Sequence, residues 1–252
     1  MLASSYLMLA FLLAAPAGLA GEAIPIPRQK PQHAAEPVPI PRQKPKSLVQ
    51  AAPPESSGWP AAQVAAERAS CDAMLKGLAL VWSPLPPLGD EGGCGAPAPI
   101  LLSAVDGVSL TPPATVTCAM AAALHNWVSG SLQPLAQRDL GARVVAIATA
   151  SSYVCRSRNS VTGAKLSEHG KANALDMSGF AFAGRDGVTV GSGWGGVLAK
   201  FGLSRPGSFL DDARQAACTS FTTVLGPGSD SYHGTHFHVD VLARHNGSRI
   251  CQ

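Results

Sequence analysis

His169 and Asp176 stand in the run Ser167-Glu168-His169-Gly170-Lys171-Ala172-Asn173-Ala174-Leu175-Asp176, and three more histidines crowd into His233-Gly234-Thr235-His236-Phe237-His238. These two segments hold four of the seven histidines of a 252-residue chain that is only 14% charged. Neutral imidazole and carboxylate are ordinary zinc ligands, and a catalytic zinc site takes three protein ligands and leaves one position to water. A lone histidine is usually a surface or hydrogen-bonded residue. Two short segments with ligand-type spacing, in a chain otherwise poor in such side chains, point to a metal.

The elements that must position these ligands can be read from periodicity. His236-Phe237-His238-Val239-Asp240-Val241-Leu242 alternates polar and apolar residues, the signature of a half-buried strand. His236, His238 and Asp240 then share one face, about 6–7 Å between successive members, while Phe237, Val239 and Val241 face the core. Asp240 either orients an imidazole from behind or sits exposed. Ala174-Leu175-Asp176-Met177 suits a second strand, entered by a glycine- and alanine-rich loop that carries His169. In that loop Ser167 caps a turn or lines the cleft, and Glu168 is expected to point to solvent.

With these residues in place, His169-x6-Asp176 followed by His236-x-His238 resembles the metal signature of the LAS metallopeptidases, a group spanning lysostaphin, the D-Ala-D-Ala metallopeptidases and the non-enzymatic hedgehog signalling domain. From about Cys71 to Cys251 the chain also resembles the bacterial extensin-like protein C-terminal domain. The pieces that carry this are Ser152-Tyr153-Val154-Cys155-Arg156-Ser157-Arg158-Asn159, Leu166-Ser167-Glu168-His169, Ala172-Asn173-Ala174-Leu175-Asp176, Val224-Leu225-Gly226-Pro227-Gly228-Ser229-Asp230 and His236-Phe237-His238-Val239-Asp240. The resemblance implies that His169, Asp176 and His238 ligate zinc, with His236 beside the metal. It makes His233 and His236 the catalytic candidates and Arg156, next to the similar Arg158, the residue that holds a peptide substrate. Ser167 joins it as a substrate-binding candidate. The chain lacks the glutamate that D-Ala-D-Ala carboxypeptidases carry just before the third ligand, so a histidine would have to serve as general base.

Composition bounds the rest. Residues 1–20 hold no charged side chain and an apolar run, Leu7-Met8-Leu9-Ala10-Phe11-Leu12-Leu13, followed by Gly18-Leu19-Ala20. This is the pattern of a signal peptide cleaved near Ala20, and the run is short of the ~20 residues that span a bilayer. Residues 21–60 repeat Pro25-Ile26-Pro27-Arg28-Gln29-Lys30-Pro31 as Pro39-Ile40-Pro41-Arg42-Gln43-Lys44-Pro45. So much proline excludes helix and central strand and predicts an extended, semi-rigid spacer. Its basic residues could lie along an anionic envelope surface. They account for most of the net charge of +3, so residues 61–252 are almost neutral and nucleic acid is not an expected partner.

Six cysteines without any Cys-x-x-Cys pair argue against a cysteine zinc site and for a disulfide framework. Fifteen pairings are possible in principle. Cys251 is most simply a staple on the tail, to Cys218. Disulfides persist in oxidising compartments, so the expected location is the periplasm or outside the cell.

Around the site the pattern predicts a helix from Ala61, with Val64, Ala65, Met74, Leu75 and Leu78 on its apolar side, then breaker-rich chain from Pro84 to Pro99. A short strand at Ile100-Leu101-Leu102 is followed by a helix from Thr115, its N-cap, to Val128, and another from about Leu132 to Leu140. His125 is expected on a helix surface or satisfied locally. A strand over Arg143-Val144-Val145-Ala146-Ile147-Ala148, a glycine-rich hairpin beside the cleft between Gly184 and Gly196, a helix from Ser208 to Cys218 and a strand from Phe221 to Leu225 complete the reading. The expected fold is α+β: a small, mainly antiparallel sheet with flanking helices, LAS metallopeptidase-like and stapled by disulfides. The expected function is zinc-dependent hydrolysis of peptidoglycan stem or cross-link peptides. The alternative is a non-catalytic zinc domain that binds wall peptide or a protein partner.

Overall fold

The computed structural model describes residues 58–89, 92–195 and 204–252. The signal-peptide and proline-repeat readings lie outside these residues. No helix among them is long and apolar enough to cross a membrane.

The elements in chain order are α1 (Ala61–Leu75), β1 (Leu80–Pro84), β2 (Leu88–Gly89), β3 (Gly95–Ala96), β4 (Ile100–Val105), β5 (Val108–Val116), α2 (Cys118–Trp127), α3 (Gln133–Leu140), β6 (Val144–Ser151), β7 (Ala174–Phe182), β8 (Arg185–Thr189), α4 (Val190–Gly193), α5 (Arg205–Ala217), β9 (Thr223–Leu225), β10 (Phe237–Asp240) and β11 (Ile250–Cys251). The expected α+β class holds, but the sheet is not small. Nine strands run in the order β1-β4-β5-β6-β7-β10-β9-β11, with β8 also on β7, while β2 and β3 form a separate ladder. Pairing is mainly antiparallel. The exceptions are β5 with β6 and β9 with β11, both parallel.

β7 is the hub. One side pairs along its length with β6, and the other pairs first with β10, through Ala174–Met177, and then with β8. Leu175, Met177, Phe237 and Val239 are completely or almost completely buried, as alternation on the two strands requires. Their core continues into the helices: Phe180 packs edge-on to Phe209 of α5 at 5.6 Å, and Trp127 of α2 meets Phe221 at 6.2 Å. The indole of Trp127 donates to the carbonyl of Ala213, 3.1 Å away, which joins α2 to α5. One face of β7 and β10 is therefore fixed by apolar packing, and the opposite face is free for polar side chains.

Several boundaries differ from the sequence reading. Thr115 is not a helix cap: it lies in β5 opposite Leu101, and the cap of α2 is Thr117, whose hydroxyl accepts from Met120 N at 3.3 Å. The buried residues of α2 are Cys118, Met120, Ala121, Ala123, Leu124 and Trp127. On α1 Cys71 and Leu75 turn inward and Met74 is exposed, because the Cys71–Cys118 bridge decides which face meets α2. The segment after Pro84 carries the β2–β3 ladder despite its breakers. The expected hairpin exists as β7 and β8, but β8 pairs with the part of β7 beyond Asp176 and itself contributes no residue to the cleft lining. His125 Nδ1 lies 2.8 Å from Asp106 Oδ2, at ion-pair distance but outside hydrogen-bond geometry, and both atoms are buried.

Three disulfides staple the fold: Cys71–Cys118, Cys94–Cys155 and Cys218–Cys251. The last is the tail staple expected from the sequence.

Candidate metal centre

Two of the three expected ligands meet because of strand register. His238 and Asp176 are direct partners across β10 and β7, and the His238 Nδ1 lies 3.0 Å from Asp176 Oδ1. His169 arrives differently, on a 3-10 turn over Glu168–Lys171. Ser167 caps that turn by accepting from His169 N, and Ala172, with φ at +56°, ends it and releases the chain into β7. His169 Nε2 then sits 3.1 Å from both Asp176 Oδ1 and His238 Nδ1. Ligand atoms of His169, Asp176 and His238 all lie within 4.8 Å of one another, and all three residues are buried.

Each imidazole is held by its other nitrogen. His169 Nδ1 donates to the carbonyl of Ser152 at 2.6 Å, and His238 Nε2 donates to Asp240 Oδ2 at 3.3 Å. These bonds leave His169 Nε2 and His238 Nδ1 with lone pairs aimed at one point beside Asp176, the arrangement that orients metal-bound histidines in general. The donor set is two neutral imidazoles and one carboxylate, which fits a divalent cation such as zinc. Asp240, for which the sequence left two readings open, is buried and is the orienting partner.

The electrostatics agree. Burial opposes ionisation of Asp176, but hydrogen bonds from His169 and His238 outweigh it and hold the carboxyl well below its ordinary range. Burial likewise disfavours charge on His238, yet its bonds to Asp176 and Asp240 raise it to about 9 in the metal-free protein. Asp240 is lowered: burial works against it, but His238, Thr223 and the Leu242 amide prevail.

A cleft of about 530 Å³ opens over these groups. His233 and His236 line it, with ring centroids 5.3 Å apart, and His233 is 5.6 Å from His238. His233 Nδ1 donates to Asp230 Oδ1 at 2.7 Å, and the same oxygen accepts from the amides of Tyr232 and His233. His236 Nε2 is 3.7 Å from Asp176 Oδ1. Burial lowers its pKa, and the surrounding imidazoles add to this against the pull of Asp176. Arg156, Arg158 and Ser167 line the same cleft, so all seven expected site residues come together.

Glu168 corrects its sequence reading. It is only 4% exposed and does not point to bulk solvent: Lys171 Nζ meets one carboxylate oxygen at 2.8 Å and Asn173 Nδ2 the other at 3.1 Å. Asn173 in turn accepts from the Thr117 hydroxyl and takes the Val241 amide on its carbonyl, tying the His169 turn to α2 and to the end of β10. Asp230 was not assigned a role from sequence. Its signal was the turn-forming Pro227-Gly228-Ser229-Asp230 run placed three residues before His233.

A disulfide-stapled α+β domain with a buried His-Asp-His group able to hold a metal ion is the class that fold and site define. The chain belongs to the extensin-like protein C-terminus family, whose model matches residues 69–252. No curated protein and no solved structure matches it.

Proposed function

We propose that the protein is a zinc-dependent peptidase of the cell envelope that hydrolyses peptidoglycan stem or cross-link peptides, with a LAS-type site. The observation that carries this reading is the convergence of His169 Nε2, an Asp176 oxygen and His238 Nδ1 at the floor of a cleft that also presents two further imidazoles. A structural zinc site has no use for that surplus. Zinc held by these three residues would polarise a peptide carbonyl and lower the pKa of a bound water from about 15.7 towards 7.

The chain's own groups supply the rest. His233, anchored through Nδ1–H to Asp230, keeps Nε2 as a proton acceptor. His236, with its lowered pKa, is neutral at pH 7 and can also take a proton. With no glutamate before His238, these two are the candidates for moving a proton from water to the leaving amine. Arg156 and Ser167, which line the cleft, would hold the peptide. The six paired cysteines and the signal-like segment in residues 1–20 support an oxidising location, periplasmic or secreted.

The test is digestion of purified peptidoglycan fragments by metal-loaded and chelated protein in parallel, read by mass spectrometry. Loss of a terminal residue or opening of a cross-link only in the loaded sample supports the peptidase and identifies the bond. Bound zinc without cleavage moves the weight to a zinc domain that binds wall peptide or a protein partner.

A further inference from the structure

Charge pairing in the cleft leaves two cations over. Glu168 is taken by Lys171, and Asp230 by His233. Asp176 faces the metal position, and Asp240 is held by His238 and the Leu242 amide. Arg244 is used up on the Thr222 carbonyl and the Thr223 hydroxyl, where it fastens the chain after β10 to β9. Among the described residues neither Arg156 nor Arg158 has a carboxylate within ion-pair distance, and the hydrogen bond of the Arg156 guanidinium is a long one, 3.5 Å, to the Ser157 carbonyl.

Their backbone, by contrast, is fixed. Arg158 N donates to Lys165 O at 2.9 Å, Ser167 N donates to Arg156 O at 3.1 Å, and Ser157 bridges Leu166. This short ladder runs straight into the turn that carries His169, and the Cys94–Cys155 bridge locks its start. Two guanidinium groups thus line the cleft, on a frame shared with the candidate metal site, and among the described residues neither has a carboxylate partner. Guanidinium is the side chain best matched to a carboxylate, through paired N–H donors.

We propose that the cleft selects peptides carrying a free carboxylate, and that Arg158 is a specificity-determining residue acting beside Arg156. This deepens the peptidase reading and rests on it. The carboxylate could be the α-carboxylate of the peptide end or an acidic side chain, and the experiment separates them.

Zinc-loaded protein is assayed for KM and kcat, and titrated calorimetrically, with the stem pentapeptide L-Ala-γ-D-Glu-L-Lys-D-Ala-D-Ala, with its C-terminal amide, and with the analogue whose glutamate carboxylate is converted to an amide. Neutralising one of the two carboxylates should raise KM about tenfold, the scale of a charge-assisted bond, and so identify the one that is gripped. Arg158→Gln should raise KM for the acid by a similar factor, with kcat nearly unchanged and no further loss on the neutralised peptide. Arg158→Lys should recover part of the difference. Zinc content of each variant reports that the exposed substitution leaves the site intact. Hydrolysis that is indifferent to both neutralisations, or to Arg158→Gln, overturns the inference and leaves the peptidase standing. Failure of zinc-loaded protein to bind or cut any of the three peptides overturns both.

Discussion

At the residue scale, the site works by assigning each imidazole nitrogen one task. Ser152, Asp240 and Asp230 each take an N–H from His169, His238 and His233, respectively, so the opposite nitrogens are free. His233→Ala should therefore spare the metal and lower kcat by about 100- to 10,000-fold, the usual worth of a positioned acid or base. The pH dependence follows from His238. Its value rises from 6.5 in the unfolded chain to about 9 in the metal-free fold, so its charge stabilises that fold fully below pH 6.5, and this contribution is lost as pH rises through 9. Metal needs the same nitrogen unprotonated. Zinc affinity, measured by competition with a chelator, should rise up to about tenfold per pH unit from 6 and level off above 9. The candidate ligands were legible in the sequence because imidazoles and carboxylates at such spacing are scarce in this chain. Glu168 was not, since its burial depends on Lys171 and Asn173 folding back over it, which no local pattern announces.

At the element scale, strand period carried most of the information. Alternation in residues 236–242 predicts which side chains of β10 face the core, and Phe237 and Val239 obey it. What failed were boundaries next to proline. β5 runs through Pro112 and Pro113 to Val116, so the N-cap of α2 is Thr117 rather than Thr115. Because the Thr117 hydroxyl caps α2 and also bonds Asn173 Oδ1, Thr117→Ala should cost about 1–2 kcal/mol, seen as a lower unfolding midpoint in urea. Gly170 makes the turn that carries His169 sensitive in another way. A Cβ there would lie 2.9 Å from Cys94 Sγ and 3.0 Å from Leu166 Cδ1, and a bridged sulfur cannot swing aside. Gly170→Ala should weaken zinc retention with the helices unchanged by circular dichroism.

At the scale of the domain, a nine-stranded sheet and its helices are stapled by three bridges. Composition and cysteine count predicted the disulfide class and the tail staple. The other two pairings depend on how α1 and β3 dock, which spacing alone does not encode. Cys94–Cys155 joins residues 61 apart in sequence, a loop long enough for a contribution of about 4 kcal/mol by the chain-entropy relation. Reduction should therefore depress the thermal midpoint strongly, with the Arg156 segment the first to lose protection from hydrogen exchange.

The most direct test of the central claim is the zinc content of the purified protein and of its His238→Ala and His236→Ala variants, by elemental analysis after dialysis against trace metal. One zinc per chain in the native protein and in His236→Ala, with loss in His238→Ala, is the predicted result. Stoichiometric zinc in His238→Ala, or none in the native protein at pH 8, would contradict the account.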